Sequence, residues 1–375
     1  MWPPGDLRCG DLGGHEGRPS FVTWRLPTRS FFAYPWTVMN PVASFLLAAA
    51  VSLTWTIQPS GSTASLRGVS AVNSKVVWTS GSNGTCLRTD DGGGTWHALT
   101  VPGAEKLDFR AVVAFDAMAA YLMSAGPGAQ SQVYRTSDGG AHWEHLLSNP
   151  DPDGFFDALA FWDRKHGMVL GDPVAGRFTI LTTEDGGRTW QRQNSPPALK
   201  GEGAFAASNS SLVLRRDGDR LEAWFATGGP GAARVFHSAD AGRTWSVTTA
   251  PIRNDGASAG IFSIAFADAE HGVVVGGDYA KPDEDQHNIA LTSDGGRTWS
   301  EPAGARPKGF RSTVIFLRNR TVWITAGTSG SDVSYDDGKT WMPFDSGTFN
   351  AIASVTDGAT WAAGPNGRIA RLAVR

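Results

Sequence analysis

Six copies of one octapeptide, Ser/Thr-x-Asp-x-Gly-x-Thr/His-Trp, limit the fold of this chain more than any other part of its sequence. The copies share a single register, and they lie at residues 89–96, 136–143, 183–190, 238–245, 292–299 and 334–341. Their tryptophans are 42 to 55 residues apart. That spacing accommodates four short strands and their turns, which is the repeat length of a β-propeller blade. The repeats therefore predict a ring of similar antiparallel sheets.

The residue types of the octapeptide suit a tight turn between two strands. The Asp carboxylate can accept hydrogen bonds from backbone N–H groups of its own turn, and Gly tolerates the positive φ that such a turn requires. The final Trp gives the next strand a large apolar surface for packing against a neighbouring sheet. We therefore interpret the six aspartates as structural, with catalysis as the alternative that their acidity suggests.

Composition and the segments between the octapeptides agree with an all-β chain. The 46 Gly and 21 Pro among 375 residues disfavour long helices, while 41% hydrophobic residues supply a large core. Strand-like segments precede the second octapeptide at residues 109–115, 120–124 and 133–135, and other repeats follow the same plan. We name the four strands of each unit a to d, with the octapeptide between c and d.

The chain after the sixth octapeptide supplies only three strands, at residues 349–355, 360–364 and 367–372. Residues 53–58 are a candidate for the missing d strand, because Trp55 lies 41 residues before Trp96, close to the repeat spacing. Pairing of the first and last strands would close the ring without an exposed sheet edge. The sequence thus predicts an all-β fold, a seven-bladed β-propeller of four-stranded antiparallel blades, over residues 53–375.

Residues 1–52 lack the repeat pattern, and we interpret them as a leader. Residues 42–53 are uncharged and mostly apolar, a length typical of a signal-peptide core and too short to span a bilayer. We expect export to the periplasm or the extracellular space; a disordered or buried N-terminal segment is the alternative. No other run approaches 18 apolar residues, so we expect no transmembrane span.

Octapeptides of this form resemble the BNR or Asp-box repeat of sialidases and related propellers. The layout, with a leader, a Trp-containing first strand and seven short blades, more closely resembles the photosystem II stability/assembly-factor family and its bacterial relatives. The resemblance covers residues 53–375 and implies the β-propeller fold. It is weak for function, because binding proteins, assembly factors and glycosidases all use such repeats.

Candidate ligand-binding residues lie on the face opposite the octapeptide turns, where the b–c and d–a connections of all blades meet. In segments that we align as starts of the a strands, the charged residues are Arg67, Arg110, Asp157, Glu202 and Arg311. The b–c loops add Asp172, Arg234, Asp278, Tyr279 and Asp332. The charged groups form either a mutual ion network or a site for a polar ligand, and each loop Asp has loop capping as its alternative. A slip of one residue would turn any of these side chains to the other sheet face.

We predict a non-enzymatic binding or assembly scaffold whose rim arginines hold an acidic peptide or an anionic ligand, because guanidinium groups suit carboxylates. The alternative is a sialidase-like glycoside hydrolase that uses the rim arginines and a pair of carboxylates, which the sequence does not assign. We expect no cofactor and no metal: a Gly-x-x-x-x-Gly-Lys-Ser/Thr loop is absent, and the acidic segment 278–288 lacks EF-hand spacing. A formal net charge of −3 speaks against nucleic-acid binding, and we expect a monomer.

Overall fold

The computed structural model describes residues 52–374, which belong to the compact unit Ala50–Arg375. The predicted leader, apart from Ser52, lies outside the described residues. Within the described range, 27 strands form seven antiparallel sheets, and one short 3-10 helix spans Gly128–Gln130. No helix in this range is long and apolar enough to cross a membrane.

The strands follow the chain from sheet to sheet, beginning with β1 (Leu53–Gln58). Blade 1 consists of β2 (Leu66–Ala71), β3 (Val77–Gly81), β4 (Cys86–Thr89) and β5 (His97–Leu99). Blade 2 consists of β6 (Phe109–Ala114), β7 (Ala120–Ser124), β8 (Gln132–Thr136) and β9 (Glu144–Ser148). Blade 3 consists of β10 (Phe156–Phe161), β11 (Gly167–Val174), β12 (Arg177–Thr183) and β13 (Gln191–Arg192).

The second half of the ring repeats this order. Blade 4 consists of β14 (Leu212–Asp217), β15 (Arg220–Ala226), β16 (Arg234–Ser238) and β17 (Ser246–Thr249). Blade 5 consists of β18 (Ala259–Phe266), β19 (His271–Asp278) and β20 (Ile289–Ser293). Its fourth strand is reduced to a single bridge between Leu291 and Ser300. Blade 6 consists of β21 (Thr313–Leu317), β22 (Val322–Gly327), β23 (Gly330–Ser334) and β24 (Met342–Asp345).

Blade 7 joins the two ends of the described chain. It consists of β25 (Ala351–Ser354), β26 (Thr360–Ala363), β27 (Ile369–Val374) and β1. β1 pairs antiparallel with β27, and Trp55 stands opposite Leu372. The Trp55 ring packs on Phe344 and Phe349, while its indole N–H donates to Oγ of Ser331 at 3.0 Å. The predicted closure of a seven-bladed ring by the N-terminal strand is confirmed.

Buried apolar side chains form seven clusters in the described chain, and each cluster lies between two neighbouring blades. Trp78 of blade 1, for example, packs with Val112 and Leu122 of blade 2. Trp361 of blade 7 packs with Leu66 of blade 1, which completes the circle. Because each blade buries its faces against two neighbours, the hydrophobic effect stabilises the ring rather than any single blade.

The octapeptides form the turns between strands c and d, as the turn at Asp185 shows. Its Oδ1 accepts hydrogen bonds from the Thr189 backbone N–H and from Oγ1 of Thr183, both at 2.9 Å. Gly187 has a φ of +83° and donates its N–H to Oγ1 of Thr183. The backbone hydrogen bond from Thr189, followed by the hydroxyl bond from the same residue, lowers the pKa of Asp185 to about 2. These contacts support the structural interpretation of the octapeptide aspartates.

Candidate functional site

A cavity of about 1120 Å³ is lined by residues from all seven blades. One representative of each blade, in ring order, is Arg67, Arg110, Asp157, Gly228, Phe262, Ser312 and Asn350. A cavity that touches every blade of a closed ring lies on the ring axis. Its lining comes from the starts of a strands and from b–c and d–a connections, so it lies at the end of the axis opposite the octapeptide turns.

Several lining side chains reach the cavity from one equivalent backbone position. In blades 1, 2 and 3 the pairing of strands a and b skips Arg67, Arg110 and Asp157, each of which is the extra residue of a β-bulge. Phe262 of blade 5 occupies the same position. A bulge bends its strand and re-aims the extra side chain. The fold thereby places two cations, an acid and an aromatic ring around one axis.

Arg311 departs from this pattern, because it is one residue out of register with our sequence alignment. Its backbone N–H donates to the carbonyl of Gly276, at the inner end of strand b in the preceding blade, as Leu66 does to blade 7. Arg311 therefore corresponds to Leu66 rather than to Arg67, and it is fully buried. Ser312 takes the position on the cavity wall. Neighbouring residues of an extended chain point to opposite faces, so a shift of one residue decides whether a side chain is buried or reaches the cavity wall.

Arg311 and Asp332 form a buried ion pair. Nε and Nη2 of Arg311 donate to Oδ2 of Asp332 at 2.7 and 2.5 Å, and Nη1 donates to the Phe310 carbonyl and to Oγ of Ser329, both at 2.8 Å. Burial lowers the pKa of Arg311, and Asp332 opposes that shift. Asp332 lies inside β23, not in the predicted loop, because a two-residue turn joins β22 and β23. For this pair, the ion-network alternative describes the geometry.

Glu202 and Arg234 form a second ion pair within blade 4. The Glu202 carboxylate accepts hydrogen bonds from Nε of Arg234 at 2.8 Å, from Oγ1 of Thr227 at 2.6 Å and from the Leu199 N–H at 2.7 Å. Our prediction of an a strand starting at Glu202 is wrong: strand a of this blade begins later, at β14, and Gly201 turns the chain with a φ of +78°. Glu202 lines the cavity, but its oxygens already have partners.

The two predicted residues of blade 5 differ in exposure. Asp278 is buried, and its Oδ1 accepts the backbone N–H of Ala280 at 2.9 Å, which is a loop-capping contact. Tyr279 is 54% exposed and lines the cavity. Its ring meets Phe262 edge to face, with the ring centroids 6.0 Å apart. Of these two, Tyr279 alone presents its side chain to the cavity.

Arg67 and Arg110 are neighbours on the wall formed by blades 1 and 2. Arg110 donates through Nε to Oδ2 of Asp108 at 2.8 Å and through Nη1 to the Ala206 carbonyl at 3.1 Å. Within residues 52–374 Arg67 has no ion pair, and its buried Nε has no hydrogen-bond partner. Burial lowers the pKa of Arg67, the charge of Arg110 lowers it further, and Asp108 opposes both. The wall therefore carries two guanidinium groups, and Asp108 forms an ion pair with Arg110 alone.

Asp157 and Asp172 contribute two carboxyl groups from blade 3. Asp157 is 1% exposed, and its Oδ2 has no hydrogen-bond partner. Oδ1 of Asp172 accepts the Ala204 N–H at 3.0 Å, and this approach requires Gly203, whose Cβ, if present, would lie 2.6 Å from that oxygen. Burial raises the pKa of Asp172 to about 6. Burial, and then the charge of Asp172, raise the pKa of Asp157 well above its usual range, against the opposing effect of Arg110.

An aromatic wall completes the cavity, and our sequence analysis missed it. Phe205 stacks on Phe262 with centroids 3.8 Å apart and planes 11° apart, and Phe310 meets Phe262 edge to face at 4.7 Å. All three rings line the cavity together with Tyr279. The available signal was the segment Ile261-Phe262-Ser263, which aligns with Phe156-Asp157-Ala158 when the His-Gly pairs of the two blades, His166-Gly167 and His271-Gly272, are superposed.

The cavity can therefore offer an unpaired guanidinium, a carboxyl pair and an aromatic surface to one ligand. Six of our ten candidate residues line it: Arg67, Arg110, Asp157, Asp172, Glu202 and Tyr279. Arg234, Asp278, Arg311 and Asp332 lie outside the lining and are engaged in the contacts given above. In residues 52–374, no group of three or more His, Cys, Asp or Glu side chains could hold a metal ion.

The sequence matches no protein-family model and no curated protein sequence. Solved structures do match it. "YCF48 bound to D1 peptide" is 17% identical, with a TM-score of 0.58 over 85% of this chain and 96% of that chain. YCF48 from Cyanidioschyzon merolae is 19% identical, with a TM-score of 0.57 over 84% of this chain and 98% of that chain.

A third solved structure is also similar. The GH74 enzyme of Niastella koreensis is 14% identical, with a TM-score of 0.54 over 80% of this chain. The match covers 50% of that enzyme, so this chain spans half its length. Identities this low show the fold alone. The chain is thus a seven-bladed β-propeller whose structural neighbours include YCF48 and a GH74 enzyme.

Proposed function

We propose that this chain is a non-enzymatic binding scaffold, similar to an assembly factor, whose axial cavity holds a peptide through a carboxylate. The observation that carries the proposal is the unpaired guanidinium of Arg67, next to Arg110 on the cavity wall. Nε of Arg67 is buried without a partner, which is unfavourable, and the half-buried guanidinium makes no ion pair in the described chain. A ligand carboxylate would supply both the missing charge and the missing hydrogen-bond acceptor.

A peptide is the ligand class that fits the rest of the cavity. The cavity volume of about 1120 Å³ lies slightly above the range for small-molecule sites, which is about 300 to 1,000 Å³. The stacked Phe205 and Phe262 offer an apolar surface for a neighbouring side chain. One structural neighbour, YCF48, is described as bound to a D1 peptide, and this chain has the same fold. Peptide binding is therefore a function that a protein of this fold can have.

An array of random peptides with either free or amidated carboxyl termini tests this function. We expect peptides with free carboxyl termini or acidic side chains to bind. The Arg67→Gln variant should bind these peptides about tenfold more weakly or less tightly still, because it loses a charged hydrogen bond. Arg188→Gln is the matched control, because Arg188 is exposed in an octapeptide turn. Equal binding by both variants, or no preference for carboxylates, would show that Arg67 is not the anchor.

We also propose that the protein works outside the cytoplasm. Support comes from the apolar run at residues 42–53, which lies outside the described part of the chain except at its last two residues. Expression of the full chain in a bacterial host, followed by fractionation and N-terminal sequencing, tests this location. A mature protein that begins shortly before Leu53 in the periplasm or medium is the expected result. An uncleaved chain retained in the cytoplasm would contradict it.

Glycoside hydrolysis is the second candidate function, favoured by the carboxyl pair of Asp157 and Asp172. A buried carboxyl that keeps its proton near neutral pH can act as a general acid, with a second carboxyl nearby as base or nucleophile. A panel of fluorogenic glycosides would be hydrolysed by the native protein and not by Asp157→Asn. Absence of turnover across the panel would exclude these glycosides as substrates and favour the binding function.

A further inference from the structure

We propose that Asp157 and Asp172 form a second subsite of the cavity, which binds the ammonium or guanidinium group of the peptide whose carboxylate Arg67 holds. This subsite presupposes the peptide-binding function proposed above. It narrows the ligand class to a peptide segment that carries a carboxylate and, close to it, a lysine or arginine side chain.

The first observation is the unsatisfied oxygen of Asp157. The residue is 1% exposed, lines the cavity and leaves Oδ2 without a hydrogen-bond partner. The Asp157 carboxyl thus has an unsatisfied oxygen beside the cavity on the ring axis. Native proteins rarely leave such an atom without a donor, and an N–H group of a bound ligand would be one. A cationic donor adds a charge-assisted hydrogen bond, which is roughly twice as strong as a neutral one.

The second observation is that neither cavity arginine forms an ion pair with these acids within residues 52–374. Arg110 directs its Nε to Asp108 and its Nη1 to the Ala206 carbonyl. Asp172 has a backbone N–H as its hydrogen-bond donor and makes no ion pair in the described range. The acids on blade 3 and the unpaired Arg67 on blade 1 are therefore two separate charged subsites in one cavity.

Two subsites of opposite charge select against ligands of a single charge. An acidic peptide without a cation would be repelled by the carboxylate of Asp172, and a basic peptide without a carboxylate would be repelled by the guanidinium of Arg67. A peptide with both groups gains a favourable contact at each end, and it avoids the repulsion that either simpler peptide suffers. The bulge positions that present Arg67 and Asp157 thus set the order of charges that the ligand must match.

Asp157 and Asp172 are the cavity groups that we expect to take up or release a proton near neutral pH. The other charged residues of the lining are Arg67, Arg110, Asp153, Lys200 and Glu202, and no histidine or cysteine occurs in the described lining. Glu202 is paired with Arg234, and Asp153 is exposed. A cation that binds beside the pair favours the ionised form, so binding should release protons.

Calorimetry detects this release. Peptides from the array that contain Lys near the carboxylate are titrated at about pH 6 in two buffers of different ionisation enthalpy, beside copies with norleucine in place of Lys. We expect release of up to about one proton for each Lys peptide, and less for the norleucine copy. Equal proton release by the two peptides would overturn the subsite.

Asparagine variants assign the release to the pair. Asp157→Asn and Asp172→Asn should each bind the Lys peptide about tenfold more weakly, and the norleucine copy at least as tightly as the native protein does. Asp219→Asn, at an exposed turn between β14 and β15, is the matched control. Should Asp157→Asn fail to fold, Asp172→Asn gives the same comparison, because Asp172 is only partly buried.

The outcomes of these experiments distinguish failure of the acidic subsite from failure of the proposed peptide-binding function. Peptides that depend on Arg67 but bind equally with Lys or norleucine would refute the acidic subsite and leave the scaffold function intact. No peptide binding at all would refute both. Displacement of the Lys peptide by a glucosamine oligomer, with the same dependence on Asp157, would identify an amino sugar as the cation and overturn the peptide proposal.

Discussion

The two ends of the ring use aspartate in opposite ways. On the octapeptide face Asp185 is partly exposed, yet its carboxylate accepts hydrogen bonds from Thr183 and Thr189, and these bonds lower its pKa to about 2. On the cavity face Asp157 is buried with one oxygen unsatisfied, and burial raises its pKa. Exposure is thus a poor guide to function here, and the number of donors that meet each carboxylate separates the structural acids from the candidate ligand-binding ones.

Asp332 shows a third use of the same side chain. It is as deeply buried as Asp157, but it accepts two hydrogen bonds from the Arg311 guanidinium, and the Lys308 N–H also points to it. Burial of a carboxylate therefore has two outcomes in this ring. The carboxylate is structural where a cation or a capping backbone N–H satisfies it, as at Asp332 and Asp278, and we propose that it is available to a ligand where an oxygen is left unsatisfied. The variants below test that division, beginning with the largest expected effect.

Asp332→Asn should destabilise the protein by about 3 to 5 kcal/mol, because it leaves the buried Arg311 without its counterion. Urea denaturation monitored by tryptophan fluorescence measures the loss. Joint replacement Arg311→Met and Asp332→Ala should recover part of the stability, since no unpaired charge then remains. A loss below about 1 kcal/mol for Asp332→Asn would mean that the pair is as weak as an exposed one.

Asp172→Asn should have the opposite sign and stabilise the protein at neutral pH. The pKa of Asp172 in the fold is about 6, above its usual 3.8, so the native state holds the proton more tightly than the unfolded state. The associated stability is complete below about pH 4 and is lost as the pH rises to about 6. Removal of the titrating group should recover up to roughly 3 kcal/mol at pH 7.

Denaturation of the native protein and of Asp172→Asn between pH 4 and 8 makes this comparison. Asp219→Asn, on the exposed turn between β14 and β15, should follow the native curve. Parallel curves for the native protein and Asp172→Asn would show that the pKa of the Asp172 carboxyl is the same in the folded and the unfolded protein, which would contradict this prediction.

Much of the fold could be predicted because its determinants are local in sequence. Each octapeptide contains the acceptor, the Gly and the Trp that its own turn needs, so six copies could be counted without tertiary information. The closure by Trp55 followed from the missing fourth strand of the last blade, and the pairing of β1 with β27 confirms it. Local patterns of this kind can be recognised without aligning one blade with another.

The cavity was harder to predict because it depends on register and on long-range contacts. Arg311 and Ser312 differ by one position, and the interblade hydrogen bond from Arg311 to Gly276 decides which of them reaches the axis. Glu202 follows a glycine and resembles a strand start, whereas its pairing with Arg234 holds it in a loop. Phe205 reaches the wall from that same loop, which carries no periodic signal.

Asp240→Ala should give the smallest effect, a loss of about 1 kcal/mol with unchanged peptide binding. Its Oδ1 accepts the Thr244 N–H at 2.8 Å and Oγ of Ser238 at 2.7 Å, and such capping contacts contribute about 0.5 to 2 kcal/mol. Asp240→Asn, which keeps an acceptor, should lose less than the alanine variant. Denaturation and peptide titration of both variants provide the measurement. Weaker peptide binding by a stable Asp240→Ala would place a function on the octapeptide face and remove the contrast between the two ends of the ring.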